Sequence, residues 1–237
     1  VVVNPAVVSL DESSIVDVSV VYGMNGTIDV TGKLNGTNYV NYTGKVNLTV
    51  GTTTVENATV SVDNGEFAAV FVDSGSLAAG SYSIVLAANS GDNSNFTVVS
   101  GSKANVMTVN KAVVTLDSIE NVTVVYGMNH TITVTGKLNG TNFVNYTGDI
   151  QLSIVNSDVV PVIVTVNADR TFSVDFIDDA KLAKGNYSIA LTANATHENF
   201  TINAKSLDDM VNVTACEVWI NSFENVTVIY GESETIR

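Results

Sequence analysis

The chain has 237 residues, a formal charge of −14, only 14% charged residues and a single cysteine. Phosphate binding needs a basic face, so this balance argues against nucleic acid and against an anionic membrane surface as partners. One cysteine allows no intrachain disulfide, which alone would lean towards a reducing compartment, and no apolar run approaches the roughly 18 residues of a membrane span.

Val1 already starts in a strand pattern rather than a signal peptide, so the leader of an exported precursor is expected to lie outside this sequence. Val7, Val8 and Leu10 begin a short apolar strand, and Val18 to Tyr22 is a second. Gly23-Met24-Asn25-Gly26 reads as a turn. From Thr27 to Leu34 the pattern alternates, with Ile28 and Val30 on one face and Thr27, Asp29 and Thr31 on the other, the period of a half-buried strand. Asn35-Gly36 is a hairpin-type signal, because both residues tolerate positive φ. Val46, Leu48 and Val50 point inward from the next strand, and Ala58, Val60 and Val62 from the one after. Asp63-Asn64-Gly65 turns the chain, and Phe67, Ala69 and Phe71 return it. A loop from Asp73 to Gly80 leads to Tyr82, Ile84 and Leu86. A polar loop from Asn89 to Asn95 ends at Phe96, and Val106, Met107 and Val109 close the unit.

The unit then starts again. Residues 18–44 return almost unchanged as 122–148, and a third copy opens at Val226; Tyr22, Tyr126 and Tyr230 mark a period of about 104 residues. The expected domains are therefore 1–110, 111–214 and an incomplete third at 215–237. A fragment of that length cannot bury a core, so the natural protein is expected to continue beyond Arg237 or to be completed by another chain. The gap between units is about two residues, around Asn110 and Lys111, with no Gly- or Pro-rich linker. Nothing has helical periodicity. Several short strands per unit, with turn signals every 8 to 12 residues, predict an all-β fold of β-sandwiches. Phe67 matches Phe172, and Phe96 matches Phe200. Leu77-Ala-Ala-Gly80-Ser-Tyr82 matches Leu182-Ala-Lys-Gly185-Asn-Tyr187 and is similar to the tyrosine corner of Greek-key sandwiches, a structural feature.

The succession VxVxYG, an alternating strand with TGKL, TG before another strand, NG-x-F, LxxG-x-Y and N-F resembles bacterial Ig-like repeats of the group 3 type. These recur in tandem in surface adhesins. The Asn/Thr/Val-rich style is most similar to adhesin-like proteins of methanogenic archaea. The resemblance spans the whole chain and implies tandem Ig-like Greek-key β-sandwiches in a rod-like array, most often a stalk.

Fifteen Asn-x-Ser/Thr sequons stand at Asn25, Asn35, Asn41, Asn47, Asn57, Asn95, Asn121, Asn129, Asn139, Asn145, Asn186, Asn194, Asn199, Asn212 and Asn225. The motif accepts N-linked glycan and implies an exported, extracellular cell-surface location. This outweighs the cysteine argument, since prokaryotic surface proteins are often cysteine-poor. An Asn- and Thr-rich chain also generates sequons by chance. The pair Asn95/Asn199 carries more weight, because it recurs in the diverged half. Covalent N-glycans would keep the exposed strand edges of a β-array from pairing, and a net charge of one sign helps in the same way.

Other chemistry is weaker. A Lys–Asn isopeptide bond would use Lys33 or Lys137, but Lys33 reads as a solvated strand end, and Asp29 becomes Thr133. Calcium could take oxygens from Asp92 and Asn93, from Asp208 and Asp209, or from Asp73 and the pair Asp178/Asp179. No Asp-x-Asp-x-Asp-Gly spacing supports it, and solvated loops are the simpler reading. His130 and His197 are unrepeated and suggest no metal or triad. Cys216 matches Ala6 and Ala112 and is expected to be a small buried residue. Trp219 matches Ser9 and Thr115 and is expected to face outward, at the junction with the preceding unit. No enzyme, cofactor or metal is implied. The near identity of 18–44 and 122–148 has two readings, recent gene conversion or a shared contact surface for lateral packing. The function expected is a glycosylated adhesin-like stalk that projects or spaces a binding region towards other cell surfaces. The alternative is a self-associating subunit of a filament, sheath or surface layer. A carbohydrate- or partner-binding module would need an exposed aromatic platform in each unit, and only Trp219 offers one.

Overall fold

The computed structural model describes residues 1–24, 26–51, 58–72, 77–89, 93–193, 196–222, 225, 227 and 229–231. Nine strands form the first repeat: β1 (Ala6–Asp11), β2 (Val18–Val21), β3 (Thr27–Gly36), β4 (Gly44–Val50), β5 (Ala58–Asp63), β6 (Glu66–Val72), β7 (Gly80–Ala88), β8 (Phe96–Val98) and β9 (Gly101–Asn110). The second repeats them as β10 (Ala112–Ile119), β11 (Val122–Val125), β12 (Thr131–Gly140), β13 (Asp149–Ile154), β14 (Val162–Thr165), β15 (Thr171–Ile177), β16 (Gly185–Thr192), β17 (Phe200–Ile202) and β18 (Lys205–Thr214). β1 begins only at Ala6, and Val1, Val2 and Val3 are exposed, so the apolar start of the chain is not part of a strand.

Alternation decides which face each strand buries. Along β3 every second residue from Ile28 to Leu34 is buried, and Thr27, Asp29, Thr31 and Lys33 are exposed. β6 follows the same rule, burying Phe67, Ala69 and Phe71. A period of two puts these side chains on one side of the pleat, where they meet those of a facing sheet.

In the first repeat the order β6-β3-β1-β8 forms one layer and β2-β9-β7-β4-β5 the other, and the β5–β6 hairpin joins them at its tip. The second repeat has the same layers as separate sheets, β15-β12-β10-β17 and β11-β18-β16-β13-β14. β2 and β11 run parallel to the last strand of their repeat, and the long central pairs are antiparallel. This is the Ig-like Greek-key sandwich, present twice. Each copy has its own apolar core, one drawn from residues 8–109 and the other from 114–213.

Asn35-Gly36 is not a hairpin turn. β3 pairs with β1 and β6, while β4 pairs with β5 and β7, so the chain crosses between sheets here. A 3-10 turn at Tyr39–Asn41 carries it over, and Phe143–Asn145 does so in the second copy. The glycine is needed because a Cβ at Gly36 would lie 2.3 Å from the Val7 carbonyl oxygen, and at Gly140 2.0 Å from that of Val113. The crossover also buries Tyr42 and Tyr146, 1% and 2% exposed, which the strand periodicity does not single out. Their hydroxyls donate to the carbonyls of Lys45 and Asp149.

The tyrosine corner forms in both copies. Tyr82 Oη donates to the Ala78 carbonyl at 2.7 Å, and Tyr187 Oη to that of Ala183 at 2.9 Å. Each bond ties the first turn of a central strand to the loop before it.

Candidate functional site

The most developed polar and aromatic arrangement lies where the repeats meet. β9 ends at Asn110 and β10 begins at Ala112, so Lys111 alone intervenes. At the far end of the first repeat, β2 runs into a tight turn. Tyr22 N–H donates to the Asn110 carbonyl at 2.9 Å and Met24 N–H to that of Val21 at 3.0 Å. Gly23 has φ +64°, and a Cβ there would lie 2.4 Å from Asn142 Nδ2. The turn therefore pushes the Tyr22 ring and carbonyl, with little else, against the second repeat.

The receiving face is built by the second crossover. Asn142 sits in left-handed backbone, φ 50°, at the head of the 3-10 turn. Its Nδ2 donates to the Tyr22 carbonyl at 2.8 Å, and its Oδ1 accepts from Asn145 Nδ2 at 2.7 Å. The Phe200 ring meets Tyr22 edge-on at 5.4 Å and rests in turn on Tyr146 at 5.1 Å. Asn199 Oδ1 accepts from the Ala79 backbone N–H at 2.8 Å, which ties the tyrosine-corner loop of the first repeat to the second. Lys111 Nζ donates to the His197 carbonyl at 2.5 Å. His197 Nε2 lies 3.1 Å from Tyr146 Oη. Burial holds the Tyr146 phenol neutral, pushing its pKa up to about 12, with nearby Asp149 adding to the effect.

Comparison of the two copies shows what docking covers. Asn142 is 6% exposed, whereas its counterpart Asn38 is exposed, although both adopt left-handed backbone and both accept from the asparagine three residues on. Tyr22 is half-buried and its counterpart Tyr126 is 45% exposed. Sequence reasoning missed Asn142 and Tyr22 as partners. The one available signal was the near identity of 18–44 and 122–148. The first copy of that stretch supplies Tyr22 and the second supplies Asn142 and Asn145, so it takes part in the contact between the repeats.

Bacterial adhesin and invasin repeats are among the solved structures similar to this chain. A 1.5-MDa bacterial ice-binding adhesin aligns at 17% identity and TM-score 0.34, covering 88% of this chain and 64% of that one. Invasin, a bacterial integrin-binding protein, aligns at 13% identity and TM-score 0.48, covering 86% and 39%. A tetra-tandem repeat from the extending region of a large adhesion protein aligns at 20% identity and TM-score 0.40, covering 88% and 49%. The chain thus spans less than two thirds of each. No protein-family model and no curated protein matches it.

Asn25, Asn57 and Asn194 lie outside the described residues. Of the other sequon asparagines, ten are exposed: Asn35, Asn41, Asn95, Asn121, Asn129, Asn139, Asn145, Asn186, Asn212 and Asn225. Asn47 and Asn199 are half-buried; Asn47 Oδ1 accepts from Thr59 Oγ1 and Asn89 Nδ2. Asn186 and Asn212 stand directly opposite each other across β16 and β18.

The remaining candidates have other partners. Lys33 pairs with Glu66 across β3 and β6 at 2.7 Å, both more than half exposed. The bond to Glu66 raises the Lys33 pKa. An isopeptide bond needs an apolar setting that Lys33 lacks. Asp178 is buried and accepts from the Leu182 N–H at 2.8 Å, capping the loop into the tyrosine corner. Asp179 pairs with exposed His130. Asp208 accepts from Ser188 Oγ, and Asn93 donates from Nδ2 to the Thr43 carbonyl. Asp73 and Asp92 lie outside the described residues. Among the described residues no three His, Cys, Asp or Glu side chains are grouped to hold a metal ion, and no helix is long and apolar enough to cross a membrane. Cys216 is exposed, against expectation. Its counterpart Ala112 is buried where β10 lies against β17, and no described strand pairs with residues 215–222. Trp219 is 75% exposed and lies beside Val125 and Met128 of the preceding repeat.

Proposed function

We propose that the chain is a non-enzymatic stalk segment of an adhesin-like cell-surface protein, archaeal in style and N-glycosylated, that spaces a binding region from the cell envelope. The observation that carries this is the joint. One intervening residue, an aromatic contact worth about 1 kcal/mol and two hydrogen bonds of about 1 kcal/mol each cross it. Together they oppose free swivelling of one sandwich on the other. The units 1–110 and 111–214, with 215–237 opening a third, then act as stiff segments of a rod. Exposed asparagines on turns and strand faces support glycan attachment, since a glycan there needs no unfolding.

Small-angle scattering of the chain and of Tyr22→Ala tests the mechanical part. The expected outcome is a single inter-repeat geometry for the parent and a broadened distance distribution for the variant. Equal, broad distributions for both would sink the stiff-stalk reading. Intact mass of the native protein before and after deglycosylation tests the location, because a mass equal to the bare polypeptide removes the argument for export. A second reading, a self-associating subunit of a filament, sheath or surface layer, is motivated by the near identity of residues 18–44 and 122–148.

A further inference from the structure

Four Asn-Gly pairs occur in the chain, at Asn25, Asn35, Asn64 and Asn139. Asparagine is a labile residue, and a glycine after it leaves the next backbone nitrogen unshielded by any Cβ. The pairs are alike in sequence and differ in the fold. Asn25 lies outside the described residues. At the ends of β3 and β12 the backbone nitrogen points back at the side chain: Gly36 N–H donates to Asn35 Oδ1 at 2.5 Å, and Gly140 N–H to Asn139 Oδ1 at 2.7 Å. Both asparagines are exposed, and register opposite Ser9 and Thr115 holds their backbone. Asn139 Nδ2 also donates to Asp117 Oδ1 at 3.3 Å. The Asn64-Gly65 turn is the contrast. Asn64 has left-handed backbone, φ 52°. Gly65 is buried, and its N–H donates to the Tyr42 carbonyl at 3.1 Å.

We propose that Asn35 and Asn139 are sites of spontaneous, backbone-assisted deamidation in the folded protein, and that Asn64 is shielded from it. A hydrogen bond from the glycine N–H to the side-chain carbonyl aims that nitrogen at the amide carbon, Cγ, in the manner of a near-attack conformer. Solvent base takes the N–H proton, and the nitrogen bonds to Cγ. The Cγ–Nδ2 bond breaks, and ammonia leaves with a proton from water. The product is a five-membered succinimide. Water then adds to either ring carbonyl and opens it to aspartate or to isoaspartate. One water enters and one ammonia leaves, with no change of oxidation state. The glycines cannot be exchanged for a protective side chain, because a Cβ there meets the neighbouring strand's carbonyl. The crossover thus imposes the reactive pair twice, one period apart. Each conversion adds a negative charge, and isoaspartate adds a methylene to the main chain where it leaves β3 or β12. Both products also abolish the sequon, since the lost Nδ2 is the atom that a glycan takes. The chemistry needs only the polypeptide and does not require the stalk or the glycan reading.

The test is peptide mapping by mass spectrometry of the full, unglycosylated chain, aged in warm, mildly alkaline buffer and, in parallel, in the same buffer with denaturing guanidinium chloride. The readout at each site is the mass gain of –OH over –NH2, with isoaspartate separated from aspartate by chromatography. Asn35 and Asn139 are expected to convert in the folded chain. Asn64 is expected to lag by at least about tenfold, the rate equivalent of the ~1.4 kcal/mol needed to release a backbone hydrogen bond. In denaturant the Tyr42 carbonyl no longer holds Gly65, so the three rates should converge. Asn64 keeping pace in the folded chain would overturn the proposal. So would Asn35 and Asn139 staying intact there while they convert in denaturant, or a lag at Asn64 that persists in denaturant.

Discussion

Tyr146 carries two roles that a single substitution separates. Its hydroxyl bonds the Asp149 carbonyl, and its ring supports Phe200 under the joint. Tyr146→Phe keeps the ring and is expected to cost about 1 kcal/mol near neutral pH, the worth of a buried hydrogen bond. The raised pKa makes this cost depend on pH. Stability from the neutral phenol is complete below the ordinary value of 10.0 and is lost as pH rises through about 12. Urea titrations at pH 9 and pH 12 should therefore show the parent's advantage over the variant shrinking and then reversing. A gap that is the same at both would mean the phenol titrates normally. Tyr82→Phe and Tyr187→Phe are each expected to cost about 1 kcal/mol by loss of the corner bond, read from the denaturation midpoint of the affected repeat. The corner was legible in sequence because LxxG-x-Y fixes the turn and the tyrosine together. Tyr42 and Tyr146 were not legible, since their burial depends on a crossover whose direction no local pattern encodes.

At the scale of elements, the crossover from β3 to β4 and its counterpart from β12 to β13 explain why Asn-Gly here is not a hairpin. The glycine is selected by the neighbouring strand's carbonyl and not by a two-residue turn. Gly36→Ala or Gly140→Ala is expected to destabilise its repeat by about 3 kcal/mol, from left-region strain and overlap with backbone that cannot yield. Thermal unfolding should show one transition lowered and the other unmoved. The β16–β18 pair makes a second prediction. Cβ atoms of directly opposed residues lie about 5 Å apart, too close for two branched glycans, so Asn186 and Asn212 should compete. Glycopeptide mass spectrometry of Asn186→Gln from a glycosylating host is expected to show higher occupancy at Asn212; no change would mean the two sites are filled independently. Strand faces were readable from alternation, as along β3 and β6. Strand partners were not, because register is set by residues far apart in sequence.

For the whole molecule, the consequence is a joint coded by side chains and not only by linker length. Lys111 alone leaves little slack, but a short linker by itself still permits swivelling. The Tyr22 turn, Phe200 and Asn142 limit the orientation. Asn199 is part of that contact, so its sequon should be filled less than that of exposed Asn95, and Tyr22→Ala should raise its occupancy. Equal occupancy at Asn95 and Asn199 in the parent would show that the joint opens widely during or after synthesis.

Sequence by itself determined the all-β class, the repeat, the inward residues of most strands and the tyrosine corner. Each depends on local spacing: a period of two, a period of about 104, or a six-residue motif. Tertiary structure alone decided that Asn-Gly leads a crossover and that Tyr22 and Asn142, 120 residues apart, share a hydrogen bond. Those outcomes depend on which surfaces the folded sandwiches bring together. Such contacts leave no periodic trace in a chain whose two copies carry nearly the same residues, one set docked and the other exposed.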